Sequence, residues 1–213
     1  MVGYKHYLNH IADLTAGKEL LSSGMRQEVD RCRAALEHAQ EGATVAFVSS
    51  GDAGVYGMAG LAIEMAAAHG MDVPIEIVPG VSAANSAAAR LGAPLMLDYA
   101  CVSLSDLLMP WETIRVRIEA LAAADMVVAL YNPKSTKRTQ QIEEVAAIFR
   151  QHRPGATPVA VATAVGAEDE RIVLSDLDRF LGEEITMKSI VIIGNRTSKI
   201  LNGWFVTPRG YKV

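Results

Sequence analysis

The stretch SSGDAGVYGMAG, residues 49–60, follows the apolar run TVAFV and sets one acid, Asp52, among glycines. An apolar strand ending in a glycine-rich loop before a helix is how α/β proteins build sites for nucleotide-like ligands. Bare backbone lets the ligand come close, and the helix start offers unpaired N–H groups. A carboxylate at the centre of such a loop is a poor neighbour for a phosphate. Neither G-x-G-x-x-G after a strand nor G-x-x-x-x-G-K-[ST] occurs in the chain, so dinucleotide and P-loop chemistry lose their main support. Asp52 then has two readings. As a helix N-cap it would accept from first-turn N–H groups. As a ligand group it would accept from the ammonium and ribose hydroxyls of S-adenosylmethionine, which carries a sulfonium and no phosphate, while the glycines admit the adenosine.

A second cluster is basic. In YNPKSTKR, residues 131–138, Lys134, Lys137 and Arg138 crowd one turn between an apolar strand and a helix. They are either a solvated helix start or a dock for substrate carboxylates. The second reading explains why cations stand where the helix dipole favours anions. His6 and His10 are four apart and can share a helical face. No third ligand stands near them in sequence, so no protein-held metal is expected. Further loops that can line a cleft are PGVSA, ATAVG and IIGN, each following an apolar run, and SLSD at 103–106 is either a capping turn or a cleft lining.

These loops need strands and helices to position them. GMRQEVDRCRAALEHAQEG predicts an amphipathic helix with Val29, Cys32, Leu36 and Ala39 on one face and Gly42 as its stop. TVAFVS predicts a strand buried on both faces. An alanine- and methionine-rich helix to about Gly70, a strand in PIEIVPG and a small-residue helix ended by Gly92 come next. Beyond Leu97, strands in ACVSLSD, MVVALYNP, PVAVATAVG, ERIVLSD, KSIVIIGN and GWFVTP accompany two helices. The first of these is PWETIRVRIEALAAA, with Pro110 at its first position; the second is KRTQQIEEVAAIFRQH, with Ile142, Val145, Ile148 and Phe149 inward. Strands alternating with helices in both halves predict an α/β fold of two domains, 1–97 and 98–213, with mostly parallel sheets.

Composition agrees. The 213 residues are half apolar, enough for a sizeable core and against disorder. A net charge of −4 argues against nucleic acid as a partner. Cys32 and Cys101 fit neither a disulfide framework nor a zinc pattern, as expected of core residues in a reducing compartment. No apolar run reaches the roughly 18 residues of a membrane span, and the start lacks the order of a signal peptide. The reading is a soluble, cytoplasmic protein.

SSGDAGVYGMAG, VPGVSAANSAAARLGAPL, SLSDLLMPWETI and ALYNPKSTKR, taken in that order, resemble the tetrapyrrole methylase family. The similarity runs from Gly3 to the C-terminus and is strongest to the branch that methylates carbon 17 of a corrin precursor. The resemblance implies two α/β domains with S-adenosylmethionine in the cleft between them, a homodimer, and transfer of a methyl group to carbon 17 of a reduced tetrapyrrole in cobalamin biosynthesis. In the aerobic route the ring also contracts. It assigns cofactor binding to Gly51, Asp52 and Tyr56, to Ser82, Ala83 and Ala84, to Tyr131 and Asn132, to Thr163, Ala164 and Val165, and to Met187 and Ser189. Lys134, Lys137 and Arg138 are the residues expected to hold the tetrapyrrole's acidic arms. No catalytic acid or base is assigned, since an electron-rich ring carbon and a sulfonium ask mainly for alignment.

Family members begin with a strand leading into a G-x-G-P-G loop. This chain starts at MVGYKHYLNH, which corresponds to the segment after that strand and its helix. The expectation is that this wall of the cofactor site is absent and that the chain binds cofactor poorly. Two alternatives stay open: a related methylase acting on another substrate, and a truncated, dimerising chain without catalysis.

Overall fold

The computed structural model describes residues 1–24 and 27–212. They divide into two compact units, Met1–Ser82 and Ala83–Val213.

The first unit is built on a three-stranded parallel sheet. Strand β1 (Val2–Tyr4) leads directly into helix α1 (Lys5–His10). Strand β2 (Leu21–Ser23), helix α2 (Glu28–Gln40), strand β3 (Phe47–Val48) and helix α3 (Ala59–Ala68) complete it. The order is β2-β1-β3, with Val2 opposite both Leu21 and Phe47. Cys32, Leu36, Ala62, Met65 and Ala66 form the core, with Phe47 packed against it. α2 buries Cys32 and Leu36 as its periodicity predicts, but Val29, expected on that face, is 48% exposed.

Three expectations for this half are corrected. The run TVAFVS forms only the two-residue β3, half-buried rather than enclosed on both faces. PIEIVPG forms no strand. An extended segment becomes a strand only when a neighbour pairs with its backbone groups, and no described strand pairs with this one, which leaves Ile75, Ile77 and Val78 exposed. Conversely, β1 and β2 are strands that the apolar pattern did not mark, each only three residues long.

The second unit starts with helix α4 (Ala83–Leu91), so the division falls before α4 rather than at the expected Leu97. The reason is packing: Ala84, Ala87 and Leu91 share a core with strands of this unit. Next come β4 (Gly92–Ala93), β5 (Tyr99–Ser103), α5 (Trp111–Ala123), β6 (Val127–Tyr131) and α6 (Gln140–His152). Then come β7 (Pro158–Thr163), β8 (Arg171–Asp176), β9 (Ser189–Ile193), β10 (Lys199–Leu201) and β11 (Trp204–Val206). Pro110 caps α5 and stands one residue before its first turn.

The main sheet has the order β5-β6-β9-β7-β8. Only β5 and β6 pair in parallel, while β9 runs antiparallel to both β6 and β7. The second unit's sheet is therefore mixed where a mostly parallel one was expected. Parallel neighbours need a long crossover; β7 and β8 are instead joined as a hairpin through 164–170, and β9, running in the direction of β8, lies antiparallel between β6 and β7.

The inner strands β6, β9 and β7 are buried on both faces, and their alternation divides residues between two cores. Val128, Leu130, Val159, Val161, Val191 and Ile193 face a core shared with Ile114, Ile118, Ile142, Val145 and Phe149 of α5 and α6. Ala129, Ala160 and Ala162, with Val127, Ile190 and Ile192, point the other way, into a core shared with Ala84 and Ala87 of α4. Alanine facing alanine lets α4 lie close on the sheet, which fixes its first turn relative to the ends of β6 and β7.

Candidate functional site

In the first unit the loop after β3 carries the site residues. Gly51 has φ +69°, which a glycine adopts without penalty. Asp52 commits its carboxylate to two backbone donors. Oδ1 accepts the Gly54 N–H at 2.8 Å and Oδ2 accepts the Gly80 N–H at 3.0 Å. Those two donors, Gly80 first, hold the carboxyl below its ordinary range. The helix-cap reading is replaced, because α3 begins at Ala59 with Met58 at its cap. Asp52 instead ties the loop after β3 to the loop before α4. Gly80 is bare for a reason: a Cβ there would overlap the Gly51 carbonyl oxygen. Tyr56 holds a left-handed backbone, φ +54°, and is 54% exposed. Ser82, half-buried, closes the unit.

The second unit gathers its candidate residues at one edge of the main sheet. β5, β6 and β7 end there, and β9, running the other way, starts there. Ser103 is paired with Tyr131 at the ends of β5 and β6, and Thr163 is paired with Ser189 where β7 ends and β9 begins. Tyr131–Asn132, Thr163–Val165 and Met187–Ser189 thus share an edge that their spacing in sequence does not reveal. IIGN, by contrast, ends β9 at the opposite edge and leaves the group.

The hydrogen bonds sort these residues into supports and exposed surface. The Tyr131 hydroxyl accepts the N–H of Ala84 at 3.0 Å, locking the start of α4 to the end of β6. Ala84 is itself fully buried, and Ala83 beside it is exposed. Asn132, at φ +49°, donates from its side chain to Ser103 Oγ at 3.0 Å. Ser189 is buried and its Oγ is shared between Thr163 Oγ1 at 2.7 Å and the Thr186 N–H at 2.9 Å, so it supports Thr163 rather than opening to a ligand. Ala164 has φ +50°, with its N–H on the Lys188 carbonyl at 3.1 Å. Val165 is half-buried, and Met187 is 52% exposed.

The basic turn separates in the same way. Lys137 is exposed and Lys134 half-buried. Arg138 is only 8% exposed, and its two terminal nitrogens donate to the carbonyls of Leu104 at 2.8 Å and Asn132 at 2.7 Å. Burial lowers its pKa, opposed by Asp106. The expectation that Arg138 greets a substrate is corrected: it fastens the turn to the end of β5. Lys134 borders an open cleft of ≈ 780 Å³ that Thr163, Arg171, Met187 and Lys188 also line. Sequence reasoning missed Arg171 and Lys188, whose charge is partly answered by Glu183, Glu184 and Asp169.

Five described non-glycine residues have left-handed backbones; Asp125 and Asn202 lie in other turns, and three lie in the candidate loops. Tyr56, Asn132 and Ala164 adopt left-handed conformations without being glycine, each in a loop picked from sequence. Such conformations cost about 1–3 kcal/mol each and persist where the surroundings dictate them, most often at ligand sites. These loops expose backbone, hydroxyl and thioether groups, and the one carboxylate, Asp52, is engaged by backbone N–H groups. Taken unit by unit, these groups suit an adenosine or an amino acid better than a phosphate.

A model of the tetrapyrrole (corrin/porphyrin) methylases matches residues 3–180. The cobalt-factor III methyltransferase of Priestia megaterium is 45% identical over all of this chain, which spans 40% of that protein. The probable cobalt-factor III C(17)-methyltransferase of Salmonella typhimurium is 42% identical, with 99% of this chain and 88% of that protein aligned. The crystal structure of the methyltransferase CobJ superposes with a TM-score of 0.89 at 35% identity, covering 97% of this chain and 87% of that one. With its site loops on these strand ends and its similarity running through both units, this chain belongs to the tetrapyrrole methylases.

Proposed function

We propose that the chain is an S-adenosylmethionine-dependent methyltransferase of cobalamin biosynthesis that methylates carbon 17 of a corrin precursor. The observation that carries this reading is the 42% identity, across nearly the whole of both chains, to a protein named for that reaction. The cobalt-bearing substrate is favoured over precorrin-3B. Four relatives whose names give cobalt-factor III are 38–45% identical to this chain. The enzyme works in the cytoplasm as a homodimer; family resemblance supports the dimer, and no described helix is long and apolar enough to cross a membrane.

S-adenosylmethionine supplies a methyl group already activated on a sulfonium. What remains for the protein is alignment, and holding reactants in line is worth up to about 7–11 kcal/mol. Gly51 and Tyr56 offer the first unit's contacts, with Asp52 as the strut that keeps their loop in register with Gly80. Ala83, Asn132, Thr163, Ala164, Val165 and Met187 offer those of the second, braced by Ala84, Tyr131 and Ser189. Lys134 and Lys137 hold the acidic arms of the macrocycle, with Lys188 and Arg171 lining the same cleft as Lys134.

The test is to incubate the purified chain with cobalt-factor III and methyl-labelled S-adenosylmethionine and to locate the label by NMR. Label on carbon 17 is the expected result. Label on another ring carbon would transfer the chain to a different branch of the family, and cofactor binding without transfer to any tetrapyrrole would overturn the reading.

A further inference from the structure

Helix α1 begins where the central strand β1 ends, at the carboxyl edge of the first unit's parallel sheet. On it His6 and His10 turn their Nε2 atoms toward each other at 3.1 Å, and both side chains are exposed. Their rings meet edge to face with centroids 4.4 Å apart. Tyr4 and Tyr7 flank them, Tyr7 against Tyr4 at 5.2 Å and Tyr4 6.1 Å from His6, which limits how far the His6 ring can turn.

Two imidazole nitrogens at this spacing suit one shared metal ion. With metal–nitrogen bonds of about 2.0–2.1 Å, a separation of 3.1 Å subtends roughly 100° at the metal. That lies between the cis angle of a square-planar or octahedral ion and the angle of a tetrahedral one. We propose that His6 and His10 form a two-nitrogen chelate for a divalent first-row transition metal, with the other coordination positions filled from solution. Each imidazole would carry its proton on Nδ1, leaving both Nε2 lone pairs for the ion. No group of three or more metal-binding side chains occurs among the described residues, so the protein supplies two ligands. Imidazole ligation and the usual affinity order favour copper and nickel, with cobalt and zinc weaker.

Two other histidines are engaged elsewhere. His69 Nδ1 lies 2.9 Å from the Met65 carbonyl, and His38 lies beside Glu41.

The experiment is a nickel(II) titration of the whole chain by calorimetry, beside His6→Ala, His10→Ala and the double variant. The chelate predicts one nickel per parent chain and a loss of about tenfold or more in affinity in either single variant, with the double variant no worse than the singles. It also predicts a thermal midpoint that rises with nickel in the parent only. Both side chains are exposed, so the variants fold, and circular dichroism checks this. Equal nickel affinity in parent and double variant, or no saturable uptake by the parent, would overturn the proposal.

Discussion

Asp52 and Gly80, far apart in sequence, are joined by one hydrogen bond of 3.0 Å, and the same carboxylate holds Gly54 at 2.8 Å. Both oxygens accept, so the tie depends on the charge. The folded pKa is depressed, and the stabilisation is therefore fully present above the ordinary aspartate value of about 3.9 and is lost as pH falls through the lower folded value. The amide resonances of Gly80 and Gly54 should titrate together in that acidic window and stay constant toward neutrality. Asp52→Asn presents an amino group to one of the two donors, so both the tie and S-adenosylhomocysteine affinity should weaken several-fold at neutral pH. Unchanged affinity would remove the strut from the site.

Gly80→Ala tests the contact rather than the charge. Its methyl would meet the Gly51 carbonyl oxygen, which is backbone and cannot swing aside. Relief requires the two loops to part, at a cost of about 1–3 kcal/mol in unfolding free energy. Denaturant melts measure it, and cofactor affinity should fall with it. A neutral substitution would mean the loops separate freely.

Tyr131→Phe keeps the ring and removes only the hydroxyl. The fully buried Ala84 N–H then loses its partner at a helix start, a penalty of about 1–3 kcal/mol. Hydrogen exchange should quicken first in the opening turn of α4, which global unfolding does not explain.

Lys134→Ala with Lys137→Ala should weaken binding of a tetrapyrrole and spare S-adenosylhomocysteine, with a difference that shrinks as salt is raised. Arg138→Ala should behave differently. It orphans the carbonyls of Leu104 and Asn132 and lowers stability by about 1–3 kcal/mol. Identical profiles for the lysine pair and the arginine would refute the division made between them.

The loops were legible in sequence because glycine, proline and charge punctuate the ends of apolar runs. The helices were legible too: Ile142, Val145, Ile148 and Phe149 of α6 are buried as their spacing predicts. What periodicity does not encode is direction. KSIVIIGN reads as a buried strand either way; the β7–β8 hairpin reverses the chain, and β9 keeps the direction of β8, bringing Ser189 rather than Asn195 to the site edge. Nor does residue type reveal whether a cation is offered or spent. Arg138 and Lys137 are adjacent in sequence, yet one is enclosed and the other exposed, and the carbonyls that enclose Arg138 come from the start of the turn, just after β6, and from the end of β5.

The extended segment 74–80 has a practical consequence for handling the protein. Ile75, Ile77 and Val78 are exposed beside backbone that pairs with no described strand. An apolar, β-prone stretch of that kind is a template for intermolecular pairing. Concentrated samples should therefore self-associate through this stretch, and a single charge placed within it, as in Ile77→Lys, should raise soluble yield without touching the loops that hold the cofactor.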